Sequence, residues 1–148
     1  MKQYKGCTPE FKLRKIKTDF PKVQIKSSQE AADFIRRFYD DDMEIYESSF
    51  LLLLNRVNNT IGYAKIGQGS IDGVHIDARL VASYAVNSLA SGVIIAHNHP
   101  SGNTSPSDSD KTVTSSIKNG LSYLNIKLLD HLILTDRSYL SFSDEGIL

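Results

Sequence analysis

The stretch Val93-Ile-Ile-Ala-His97-Asn-His99-Pro-Ser-Gly-Asn-Thr-Ser-Pro-Ser107-Asp-Ser-Asp110 decides how this chain is read. Val93 to Ala96 is a short, continuous apolar run, the pattern of a buried strand. His97 and His99 follow at the strand end, and in extended backbone residues two apart project to the same side. Two imidazoles can therefore share one ion. Pro100 to Ser109 reads as a loop, and a polar helix is expected from about Ser107 to Tyr123 with Val113, Ile117 and Leu121 inward. The loop can fold back and bring Asp110 to the imidazoles. Two neutral imidazoles and a carboxylate would leave a tetrahedral zinc ion one open position, as in catalytic rather than structural sites.

Upstream, Asp77 can cap a helix running to about Leu89, with Leu80, Val81, Tyr84, Ala85 and Leu89 facing the core and Gly92 stopping it. Phe50 to Leu54 and Thr60 to Ile66, separated by the Asn58-Asn59 turn, predict a hairpin. Ser27 and Glu30 have capping-box spacing, and Ala31, Phe34, Ile35 and Phe38 form one helical stripe from about Ser28 to Tyr39. Glu10 to Lys17 alternates apolar and basic residues and predicts a short exposed strand ended by Pro21. Leu128 to Leu134 and Tyr139 to Phe142 read as closing strands. Strands interleaved with helices predict an α/β fold of three layers, a mixed sheet covered by helices on both faces.

Length fits one compact domain: a basic N-terminal strand and arm over residues 1–26, then a domain over 27–148. Hydrophobic content of 41% and charged content of 23% are ordinary, which disfavours disordered and membrane classes. The longest apolar stretch, Phe50 to Leu54, is too short to span a bilayer, and Met1 to Lys17 holds no signal-peptide core. Cys7 stands alone, so no internal disulfide is expected and a cytoplasmic location suits the chain. Residues 1–26 carry eight Lys/Arg against Glu10 and Asp19, a balance of +6 within a chain of zero net charge. Such an arm can bind polyanions, although Lys on an edge strand ordinarily guards against aggregation.

Simpler structural roles compete with metal binding. An isolated H-x-H pair can hydrogen-bond loop carbonyls, and Ser107-x-x-Asp110 has the spacing of a capping box, with Asp108 a further capping candidate. Three look-alikes fail on residue chemistry. HNH nucleases take their name from residues spread over a longer motif than His97-Asn98-His99. Zinc deaminases need H-x-E with P-C-x-x-C, and gluzincins need H-E-x-x-H.

The complete string, H-x-H-P-S-G followed by P-S-x-x-D, resembles the JAMM (JAB/MPN-type) metalloprotease motif in its RadC-family form. The likeness extends from about Ser27, through Glu47 to Asn55 and the segment near Gly69, to Leu129-Asp-His-Leu-Ile. It implies the JAB/MPN (cytidine-deaminase-like) architecture, one zinc ion held by His97, His99 and Asp110, and an oxyanion stabilised by Ser107. Glu47 matches the glutamate that handles protons, with Glu44 in reserve because Ser49 stands where relatives often place an aromatic. The implied reaction is peptide or isopeptide hydrolysis on a polypeptide substrate, although a His2Asp set also accepts iron, cobalt or nickel. His131, beside Asp130, is expected to support the site rather than ligate, and His75 to lie at the surface.

Larger RadC members carry an N-terminal helix-hairpin-helix region, and a short form without it is expected here. The family's association with DNA repair keeps nucleic-acid or repair-partner binding as an alternative. A noncatalytic interaction domain is another, since many proteins of this fold have lost metal or activity.

Overall fold

A computed structural model describes residues 6–69 and 75–148. Its elements, in chain order, are α1 (Ser28–Arg36), β1 (Ser48–Leu54), β2 (Thr60–Gln68), α2 (Ala78–Asn87), β3 (Gly92–Asn98), α3 (Asp108–Ser122), β4 (Lys127–Leu134) and β5 (Tyr139–Ser141). The strands form one mixed sheet in the order β2-β1-β3-β4-β5. β1 runs antiparallel to both β2 and β3, β3 and β4 are parallel with α3 as the crossover, and β5 closes antiparallel on β4. The expected α/β class and the central hairpin are both present.

Alternation along the strands splits the core into two layers. Phe50, Leu52, Leu54, Ile94, Ala96, Leu132 and Leu134 pack under Ala31, Phe34 and Ile35 of α1. Leu51, Leu53, Val93, Ile95 and Leu128 pack under Val81 and Ala85 of α2 and Ile117 and Leu121 of α3. Because both faces are covered, β1 and β3 are buried along their whole length, which explains their unbroken apolar runs. Each fully buried leucine here contributes about 1.5–3 kcal/mol.

Four expectations need correction. Glu10 to Lys17 forms no strand: Phe11 is 92% and Ile16 81% exposed, and the chain meets the sheet only later, where Gln24 bridges Asn59. Alternation cannot make a strand without a partner to complete its hydrogen bonds. Part of the proposed basic arm, Met1 to Lys5, lies outside the described residues. Helix α1 stops at Arg36, before Tyr39, and Arg36 pins that end by donating to the carbonyls of Thr135 and Ser138. Phe38 nevertheless remains buried, stacked on Tyr63.

Helix α2 is ended by Leu89 rather than Gly92. Leu89 takes a left-handed φ of +58°, with Leu89 N–H bonded to the Val86 carbonyl and Ala90 N–H to that of Ala85. Gly92 instead opens β3, where a Cβ would approach Leu129 Cδ1 to 2.8 Å. Finally, Leu80 and Leu89 are exposed, so Val81 and Ala85 carry the buried face of α2.

Candidate metal centre

The site forms where β3 ends and α3 begins. His97 projects to the same face as Ile95, toward the α2 and α3 layer, and is buried. Helix α3 starts at its N-cap Ser107 in a full capping box. Ser107 Oγ accepts from Asp110 N–H at 3.0 Å, and Asp110 Oδ2 accepts from Ser107 N–H at 2.9 Å. The cap turns the Asp110 carboxylate back toward the strand. His97 Nε2 lies 3.4 Å from Asp110 Oδ1, His99 Nε2 lies 3.6 Å from Asp110 Oδ2, and the two Nε2 atoms are 3.0 Å apart.

One ligand atom from each of His97, His99 and Asp110 falls within 4.8 Å of the other two, an arrangement that could hold a metal ion. Capping and ligation are thus compatible roles of Asp110. The carbonyl bond foreseen for an ordinary histidine pair also exists, from His99 Nδ1 to the Asn103 carbonyl at 2.7 Å, and it leaves Nε2 for the cluster. Two imidazoles and one carboxylate, without a thiolate, make a donor set that fits zinc with room for a fourth ligand.

The electrostatics agree with an anion-plus-imidazole cluster. His99 is raised above its ordinary value, chiefly by its hydrogen bond with Asp110, against partial burial and with the Glu47 carboxylate adding to the effect. Burial works against ionisation of Asp110, but contacts from His97 and His99 and the Ser107 N–H outweigh it and hold the carboxyl well below its usual range.

A family pattern described as the RadC-like JAB domain matches residues 25–147. The chain belongs to the RadC-like JAB domain family. It is 44% identical to a UPF0758 protein of Flavobacterium johnsoniae over 102 residues, 69% of this chain and 44% of that one. A UPF0758 protein of Shewanella baltica is 38% identical over 68% of this chain and 45% of its own. One from Aquifex aeolicus is 35% identical over 91% of this chain and 57% of its own. The chain therefore spans about half the length of these relatives.

Within this RadC-like JAB domain, Glu47 immediately precedes β1. Ser49 pairs with His97 across the sheet, and continuing that antiparallel register sets Glu47 level with His99. The electrostatic effect of Glu47 on His99 agrees with that placement. Glu44 lies in the exposed turn before it. Ser107 sits at the helix start, beside the cluster but solvent-exposed, and His75 is exposed as expected.

Two contributors were not singled out in the sequence. Asn98 is buried on the opposite face of β3, where its Oδ1 accepts from Ser48 N–H at 2.7 Å and its Nδ2 donates to the Met43 and Tyr46 carbonyls at 2.6 and 3.0 Å. It clamps the segment that carries Glu47. Thr114, one turn along α3 from Asp110, lies 2.6 Å from His131 Nδ1, and His131 Nε2 lies 2.8 Å from His97 Nδ1. His131 thus supports the cluster from behind, fully buried and stacked on Phe142. The H-x-H string offered one clue to Asn98, since the middle residue of such a pair must face the other side of the sheet. Nothing local marked Thr114.

Among the described residues, the buried hydroxyls of Ser48 and Ser49 have no hydrogen-bond partner. Ser49 is the cross-strand neighbour of His97, and unpaired buried groups of this kind carry a desolvation penalty of about 1–3 kcal/mol.

Proposed function

We propose that this RadC-like JAB domain is a zinc-dependent hydrolase of peptide or isopeptide bonds, acting on a polypeptide substrate in the cytoplasm. The convergence of His97, His99 and Asp110 carries this reading, because three ligand atoms lie together on one side of the strand end. Bound zinc would polarise the scissile carbonyl and lower the pKa of a water molecule toward ~7. Glu47, level with His99, takes the proton of the attacking water and returns it to the leaving amine. The Ser107 oxygen accepts from Asp110 N–H, which leaves its hydroxyl hydrogen to meet the carbonyl oxygen as negative charge develops. Asn98 holds the Glu47 segment against the sheet and so sets the distance over which the proton moves.

The test is a cleavage screen over proteome-derived peptides and isopeptide-linked pairs, comparing wild type with Glu47→Gln. Zinc-dependent product from wild type is expected, with Glu47→Gln slower by about 10²–10⁴-fold. Equal product from both would remove Glu47 from the mechanism, and absence of zinc-dependent product across the screen would overturn the hydrolase reading.

A second reading, a DNA-repair-associated role through nucleic-acid binding, draws on the exposed Lys12, Arg14, Lys15 and Lys17. It requires duplex binding that weakens with salt and weakens further when Lys12, Arg14 and Lys15 are neutralised.

A further inference from the structure

The hydrogen bonds behind His97 have a direction, set by a main-chain carbonyl. Thr114 Oγ1 donates to the Asp110 carbonyl at 2.6 Å, the back-bond to residue i−4 that threonine readily makes inside a helix. A carbonyl only accepts, so the single hydroxyl hydrogen of Thr114 is committed there. The contact between Thr114 Oγ1 and His131 Nδ1 must then be donated by the imidazole, which places the proton of His131 on Nδ1. His131 is buried, and its two ring nitrogens meet only Thr114 Oγ1 and His97 Nδ1, with no carboxylate to balance a charge, so the ring is neutral and its Nε2 carries a lone pair. That lone pair faces His97 Nδ1, so His97 is the donor of their contact. The lone pair of His97 is consequently left on Nε2, the atom that faces Asp110 and His99.

The alternative tautomer has its own attraction. With its proton on Nε2, His97 would donate toward the Asp110 carboxylate, and two ligands would satisfy each other without an ion. The chain through His131 and Thr114 opposes that self-quenching. It also closes a loop, because it begins on the side chain of one ligand and ends on the main chain of another. His99 is set more simply, by donation from its Nδ1 to the Asn103 carbonyl.

We propose that Thr114 and His131 are positioning residues that fix His97 as its Nδ1-protonated tautomer and thereby hold the Nε2 lone pair on the metal site. The consequence for metal affinity rests on the zinc reading above, whereas the tautomer is a property of the metal-free chain.

Two measurements on the full chain test this. Imidazole 15N NMR of the metal-free wild type at pH 8 should show His97 and His131 protonated at Nδ1 and unprotonated at Nε2, and Thr114→Val should move His97 toward a mixture. In competition with a chromophoric chelator, Thr114→Val should bind zinc about 10–100-fold more weakly than wild type, while Thr114→Ser restores the affinity. Nε2-protonated His97 in the wild type would overturn the proposal, as would wild-type zinc affinity in folded Thr114→Val. If Thr114→Val does not fold, the wild-type spectrum alone decides. A wild type with the expected tautomers but no zinc binding would sink the metal reading and leave the tautomer assignment standing.

Discussion

Asp110 and Asp130 are two carboxylates withdrawn from solvent on either side of His131, and their surroundings differ in kind. Asp130 is surrounded by donors from its own fold: Oδ1 accepts from His131 N–H at 2.8 Å and Ser143 N–H at 3.0 Å, and Oδ2 from the Ser141 hydroxyl at 2.5 Å. It staples the C-terminal turn to β4. Asp110 accepts one N–H, from Ser107, and otherwise faces two imidazole nitrogens, one of them the Nε2 on which the Thr114 chain leaves a lone pair. A carboxylate whose acceptors are filled by the fold is architecture. One that converges with two imidazoles is a group that could hold a metal ion.

The largest effect is expected at His97. Zinc at a hundredfold excess over its dissociation constant should stabilise the wild type by about 2.7 kcal/mol. The increment should vanish in His97→Ala, as read by thermal unfolding with and without the ion. An undiminished increment would show that zinc sits elsewhere. Asp130→Ala should act in the opposite sense. Stripping the acceptor from the His131 and Ser143 N–H groups and the Ser141 hydroxyl should lower stability by about 3 kcal/mol in urea unfolding. The remaining folded protein should bind zinc as wild type does, and a matching loss of zinc affinity would erase the distinction between the two carboxylates.

The two carboxylates should also titrate differently. Burial raises Asp130 above its ordinary 3.8, against the opposing bonds from Ser141, Ser143 and His131. The folded protein therefore holds that proton more firmly than the unfolded chain, and ionisation of Asp130 lowers stability as pH rises from 3.8 through its raised value. Asp110 lies below 3.8, so the stability it lends is complete above that value and is lost as pH falls through its lowered one. Carboxyl 13C NMR of the metal-free protein should show the two groups titrating on opposite sides of 3.8, and movement in one direction by both would contradict the contrast. The smallest effect is expected from Ser107→Ala. Loss of the cap should reduce stability by about 1 kcal/mol with zinc affinity nearly unchanged, which chelator competition would check.

The sequence exposed whatever is local or periodic. The run from Val93 to Ala96, the two-residue step from His97 to His99, and the capping spacing of Ser107 and Asp110 each act within one or two elements, and each was legible. His131 was recognisable only as a companion of the site, because its contact with His97 depends on the parallel pairing of β3 and β4. Thr114 and Asn98 were silent for a related reason: a helical threonine and a strand asparagine acquire meaning only when another element supplies their partners. The segment from Glu10 to Lys17 failed the other way. Its alternation is a real local pattern, but the sheet offers it no neighbour.

On the zinc reading, His97, His99 and Asp110 together hold one metal ion. X-ray absorption at the zinc edge of the loaded wild type measures that directly. Expected are about one zinc per chain and a shell of nitrogen and oxygen atoms only at about 2.0–2.2 Å, with scattering from two imidazoles. A protein that retains no zinc, or a spectrum with sulfur ligands or fewer than two imidazoles, would contradict it.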